Sequence, residues 1–73
     1  MSPQKKYLQL HNRIAAAITD GSYSAGDKLP TELELAAKYR ISRQTVRTAL
    51  DALAGEGLIV KIRGSGSYIS GIA

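Results

Sequence analysis

Arg43 and Arg47 stand four residues apart in the segment Ser42-Arg43-Gln44-Thr45-Val46-Arg47. On a helix that spacing projects two side chains from one face. A helix N-terminus is already positive, so two guanidinium groups in its first two turns are locally unfavourable. A pattern that breaks a local rule often marks function. Phosphates or guanine edges would supply the missing negative partner. The plainer alternative is a solvated face with Arg47 paired to Asp51. Ser42, Gln44 and Thr45 share the same end. Gln reads adenine with a bidentate pair, Ser and Thr suit phosphates, and free N–H groups at a helix start bind phosphate as well. Ser42 is equally well placed as a plain N-cap.

A second basic group lies at Lys61-Ile62-Arg63-Gly64-Ser65-Gly66. Glycine permits close approach to a backbone or groove floor, and a cation beside it suits the narrow, negative minor groove. An ordinary hairpin turn is the alternative. No catalytic chemistry competes with these two groups. His11 is the one histidine, cysteine is absent, and no nucleophile–base pair or metal-ligand cluster can be assembled. Glu32 and Glu34 read as capping residues, and Gly64-Ser65-Gly66 lacks the Lys and helix of a phosphate loop. The expectation is a binding module without cofactor or metal, and not an enzyme.

The elements that must position these residues can be traced from the apolar spacing. A first helix covers about Lys5 to Asp20, with Tyr7, Leu10, Ile14, Ala17 and Ile18 at helical intervals and Gly21 as its stop. Lys28-Leu29 can form a very short strand, held extended by Pro30. Thr31-Glu32-Leu33-Glu34 fits a capping box and starts a second helix, with Leu35, Ala36 and Tyr39 buried. Only Arg40 and Ile41 separate that helix from Ser42, the cap of a third. Val46, Ala49, Leu50, Leu53 and Ala54 give the third helix one apolar face, and Gly55 and Gly57 end it. Two short helices joined so tightly make a helix-turn-helix. After Gly57 the period becomes two: Leu58, Val60 and Ile62 alternate with Ile59, Lys61 and Arg63. A glycine turn follows, then Ser67-Tyr68-Ile69-Ser70, which makes a β-hairpin. The fold class is mainly α with a small β-hairpin, three helices plus a two-stranded wing.

Seventy-three residues, 44% hydrophobic, make one globular domain over residues 1–73. From Lys38 to Arg63 there are six basic and two acidic residues, so this segment carries the whole formal excess of +4. A basic excess in one half points to a polyanionic partner or to a merely solvated basic surface. The polar start Met1-Ser2-Pro3-Gln4-Lys5-Lys6 leads into no signal-like apolar run, and no stretch approaches the roughly 20 apolar residues of a bilayer span. With no cysteine for disulfide staples, the expectation is a cytoplasmic protein with no membrane partner.

Gly26-Asp27-Lys28-Leu29-Pro30-Thr31-Glu32 followed by Leu35-Ala36 resembles the G-D-x-L-P-[ST]-E-x-x-L-A signature of the GntR family. Ser42-Arg43-Gln44-Thr45-Val46-Arg47-Thr48-Ala49-Leu50 resembles that family's S-R-x-T-V-R-x-A-L recognition helix. Leu53, Glu56-Gly57-Leu58-Ile59 and Gly64-Ser65-Gly66-Ser67-Tyr68-Ile69 are similar to its remaining motifs, in order and at fixed spacing. Lys6-Tyr7-Leu8-Gln9-Leu10 is similar to the HutC-type branch.

The resemblance implies a winged helix-turn-helix that binds a palindromic double-stranded DNA operator. It implies a transcriptional regulator, most often a repressor released by a small metabolite. Arg43, Thr45 and Arg47 match the family's major-groove contacts, Gly64 matches its wing glycine, and Thr31 and Glu32 match the helix start that touches the backbone in some members. It also implies an effector-binding domain beyond the wing that commonly supplies the dimer contact. This chain is then expected to be mainly monomeric in solution and paired on DNA. There are two departures. Leu33 stands where the family commonly has an Arg used on DNA, so that contact is lost. Arg40 stands where Gly or Asn is usual, at a cost of about 1 kcal/mol if φ is positive, offset by a phosphate contact.

Overall fold

Helix α1 (Gln4–Thr19), helix α2 (Glu32–Tyr39), helix α3 (Arg43–Gly55), strand β1 (Ile59–Ile62) and strand β2 (Gly66–Ile69) follow one another in a computed structural model that describes residues 4–70. Met1, Ser2 and Pro3, part of the polar start discussed above, lie outside the described residues, as does Ala73. Helix α1 falls within a residue of the bounds its spacing predicts, and Leu10 and Ile14 are its buried positions. Tyr7, Ala15 and Ile18 pack half-buried beside them.

Both helices of the helix-turn-helix are capped by the residues their sequence signals. Thr31 accepts the Glu34 N–H at 3.1 Å, and the Glu34 carboxylate accepts the Thr31 N–H at 2.8 Å. This reciprocal box satisfies two of the four N–H groups that a helix start leaves free. Ser42 accepts the Thr45 N–H at 3.0 Å and so caps α3. Between them Arg40 takes φ 56 and ψ 48, the left-handed region. The N–H groups of Arg40 and Ile41 both turn back to the Ala36 carbonyl. The positive φ that the resemblance suggested is therefore present, and Ile41 is carried onto the core.

The strand Ile59–Ile62 pairs antiparallel with Gly66–Ile69, Ile59 opposite Ile69 and Val60 opposite Tyr68. Lys28 adds a bridge to Tyr68 on the far edge of β2, and the Leu29 N–H donates to the Ser67 carbonyl at 2.8 Å. The very short strand before Pro30 thus exists and fixes Leu29 in the core, 2% exposed. The structure decides which face of the hairpin turns inward. Ile59 and Ile69 face the core, while Val60 and Ile62 are 44% and 46% exposed. Both alternating sets begin with an apolar residue, so periodicity could not choose the inner face. Contact with the core at the base of the hairpin chose it.

Tyr39 is only half-buried, its ring flanked by Arg13 at 5.7 Å and Lys38 at 5.5 Å from the centroid. His11 is partly buried. Its side chain is 15% exposed and lies 2.7 Å from Glu56, tying α1 to the end of α3. Hydrogen bonding to Asn12, and then to Glu56, raises its pKa above the ordinary histidine value against the opposing effect of burial.

Arg40 generates a stability prediction. A side chain in the left-handed region costs about 1–2 kcal/mol, and glycine returns about 0.5–1 kcal/mol of that through its looser unfolded chain. Arg40→Gly is expected to raise unfolding free energy by about 0.5–1 kcal/mol in urea titration. A loss of stability would mean that the Arg40 side chain contributes more than its backbone costs.

Candidate nucleic-acid interface

The capping box places Glu32 in the first turn of α2, opposite the second turn of α3. Arg47 donates from Nη2 to one Glu32 oxygen at 3.2 Å and from Nε to the other at 3.4 Å. The two side chains are 50% and 25% exposed, so solvent screening leaves this pair little effect on stability. Its geometric effect is larger. With Nε and one Nη2 proton engaged, the far edge of the guanidinium still offers a parallel pair of N–H donors. That edge matches O6 and N7 of guanine, or two phosphate oxygens. The hydrogen bond to Glu32, and then the Glu32 charge, holds the Arg47 pKa above its ordinary value.

Arg43 is exposed one turn earlier and forms no ion pair among the described residues. Arg63 and Gly64 lie in the exposed turn between the strands, and Arg63 likewise has no ion pair among those residues. Gly64 has φ +78 with open space where a Cβ would be. Its glycine is therefore required by the backbone, not by crowding inside the protein.

An open cleft of about 820 Å³ runs between the start of α2, the face of α3 and the hairpin tip. Thr31, Glu32, Arg43, Arg47, Lys61, Arg63 and Gly64 all line it. Arg40, Ser42, Gln44 and Thr45 are not among its lining residues; they occupy the α2–α3 turn and the start of α3. There Ser42 and Thr45 are already joined through their hydroxyls at 2.8 Å, which favours the capping role for Ser42. Gln44 is exposed.

Two pairings differ from expectation. Asp51 takes Lys61, not Arg47, and Arg47 takes Glu32. Lys61 thus leans from the inner face of β1 onto α3 instead of standing free at the tip. Glu32 is no capping residue; Glu34 alone closes the box. Leu33, where the resemblance implied a lost contact, also lines the cleft, as do Ile62 and Ser65, to which the sequence assigned no contact of their own. The exposed turn position of Ser65 was the one available signal. No group of three or more metal-binding side chains occurs among the described residues, and no helix there is long and apolar enough to cross a membrane.

Comparison with known proteins shows a shared family and fold. Residues 6–69 match the family model described as bacterial regulatory proteins, gntR family. The chain is 46% identical over 65 residues to the arabinose metabolism transcriptional repressor of Geobacillus stearothermophilus, covering 89% of this chain and 18% of that protein. It is 47% identical over 64 residues to the HTH-type transcriptional regulator TreR of Bacillus subtilis, covering 88% of this chain and 27% of the relative. The chain therefore spans about a quarter or less of these curated relatives. Among solved structures, AraR(DBD) in complex with operator ORE1 superposes with a TM-score of 0.88 at 34% identity, over 96% of this chain and 83% of the other.

The Lys61–Asp51 pair should restrain the wing against α3. In Lys61→Met, amide exchange is expected to speed up in β1 and the tip while α2 and α3 stay protected. Exchange identical to the parent throughout would mean that the pair restrains nothing.

Proposed function

The chain belongs to the gntR family of bacterial regulatory proteins, and from that premise we propose that it is the operator-binding domain of a transcriptional regulator. It binds double-stranded DNA at a palindromic operator and has no catalytic role. The observation that carries this reading is the shared cleft: the two α3 arginines and the hairpin tip face one open, cationic space. In a duplex, α3 enters the major groove. Arg43 and Arg47 meet guanine edges or phosphates there, and Gln44 and Thr45 reach neighbouring bases. Thr31 and the free N–H groups of the first turn of α2 approach the phosphate backbone, with Arg40 beside them at the turn. Gly64 lets the tip approach the minor groove, and Arg63 supplies its charge. Glu32 acts through Arg47.

RNA recognition is less well supported. It commonly uses exposed aromatic platforms, whereas Tyr7, Tyr23 and Tyr39 pack against the core. The names of the relatives favour a repressor, and Lys6-Tyr7-Leu8-Gln9-Leu10 favours the HutC-type branch. A small-molecule effector then acts through another domain of the regulator, in the cytoplasm.

Selection from random duplexes tests the reading, with affinity measured against salt. Arg43→Ala and Arg47→Ala are each expected to weaken operator binding by about 1–3 kcal/mol with helix content retained. Arg63→Ala should reduce the salt slope by about one unit if a phosphate contact is lost. Gly64→Val is expected to lower operator affinity by more than it lowers stability. Normal affinity in both arginine variants would refute the proposed role of α3, and normal binding by folded Gly64→Val would remove the wing from the groove.

Oligomeric state gives an independent check. If an effector domain supplies the dimer contact in such regulators, this DNA-binding domain by itself should sediment as a monomer. Two copies should occupy two-fold related half-sites on one operator. A tight dimer in the absence of DNA would contradict that assignment.

A further inference from the structure

Leu33 is 64% exposed, more than any other large hydrophobic side chain among the described residues. Isolated exposed leucines are common and need no explanation. This one differs in its surroundings. It is the second residue of α2, directly after the carboxylate that engages Arg47. It lines the same cleft as Arg43 and Arg47. The capping box fixes the backbone around it, so its Cα stands at a set place beside a polar, cationic surface. Helix formation does not demand leucine there, since many polar residues serve equally well. Ile62, 46% exposed, faces the same space from the wing.

The surface that would cover this cleft has few apolar features. Base edges in the major groove present donors and acceptors, with one apolar group among them, the C5-methyl of thymine. We propose that Leu33 is a specificity residue that seats a thymine methyl beside the groups contacted by Arg43 and Arg47. The assignment rests on the DNA-binding reading above. It turns an apparently lost polar contact into a different kind of reading: the operator carries a thymine at one fixed position of each half-site. Removing the methyl from that thymine should cost about fourfold in affinity, the worth of one buried methyl. The same loss should be absent wherever Leu33 is absent.

The test uses the operator selected from random duplexes and replaces each thymine singly by deoxyuridine, which differs only in that methyl. With the parent chain, one position per half-site is expected to lose about fourfold. With Leu33→Ala that position should bind the thymine and deoxyuridine duplexes equally, and Leu33→Met should restore the difference. Ala is a strong helix former at this exposed position, and circular dichroism confirms that the variant is folded. If no thymine shows a loss that disappears in Leu33→Ala, the proposal is wrong while the operator itself upholds DNA binding. A uniform loss in Leu33→Ala, equal on both duplexes, would mean a sugar contact and would overturn base reading. Unchanged affinity in Leu33→Ala would also overturn it and leave the leucine for a protein partner. Failure to select any operator would refute the DNA-binding reading and this assignment together.

Discussion

Val46, Ala49, Leu50 and Leu53 form a stripe along α3 with 1% exposure or less, and α1, α2 and β1 all pack against this helix. Burial of each larger side chain in the stripe contributes about 1.5–3 kcal/mol. In a domain this small there is no second core to share the task. The constraint has a functional consequence. A helix clamped along one face presents its other face at a fixed angle, so Arg43 and Arg47 are aimed by residues that never reach the cleft. The same stripe seats Ile59 of the hairpin, which sets where the wing stands relative to those arginines.

Charge is arranged in two tiers over that frame. Within the basic segment, Arg47 and Lys61 are each held by one carboxylate, Glu32 and Asp51. Both pairs are exposed and contribute little stability. They join α2 to α3 and α3 to β1, so they restrain the walls of the cleft. Arg43 and Arg63 form no ion pair among the described residues and remain available to an outside anion. A surface divided this way keeps its shape before a ligand arrives and retains unpaired cations to attract one, a combination that suits a polyanion of fixed geometry.

Backbone economy sets the remaining cost. Two residues join α2 to α3, and one of them, Arg40, adopts φ 56 without being glycine. That conformation brings two N–H groups to one carbonyl and carries Ile41 into contact with the core. A looser turn would spare the strain and lose the fixed angle between the helices.

The sequence by itself determined the elements and their ends, because caps, apolar period and turn residues act locally. Thr31, Ser42 and Gly57 each act within a few residues of their own position. The resemblance to a known family likewise rested on motifs contiguous in the chain. What lies between elements could not be read that way. For Asp51, spacing pointed to Arg47 on its own helix, whereas packing of the hairpin against α3 brings Lys61 to it. The hairpin carried apolar residues in both alternating sets, so its inner face was undecided until Ile59 and Ile69 met across the register. Leu33 could be read only as a missing arginine. Its meaning depends on an exposure of 64% and on a cleft shared with Arg43 and Arg47. Pairing, facing and exposure are properties of distance in space, and only tertiary packing brings residues fifteen or more positions apart, such as Glu32 and Arg47, to hydrogen-bonding range.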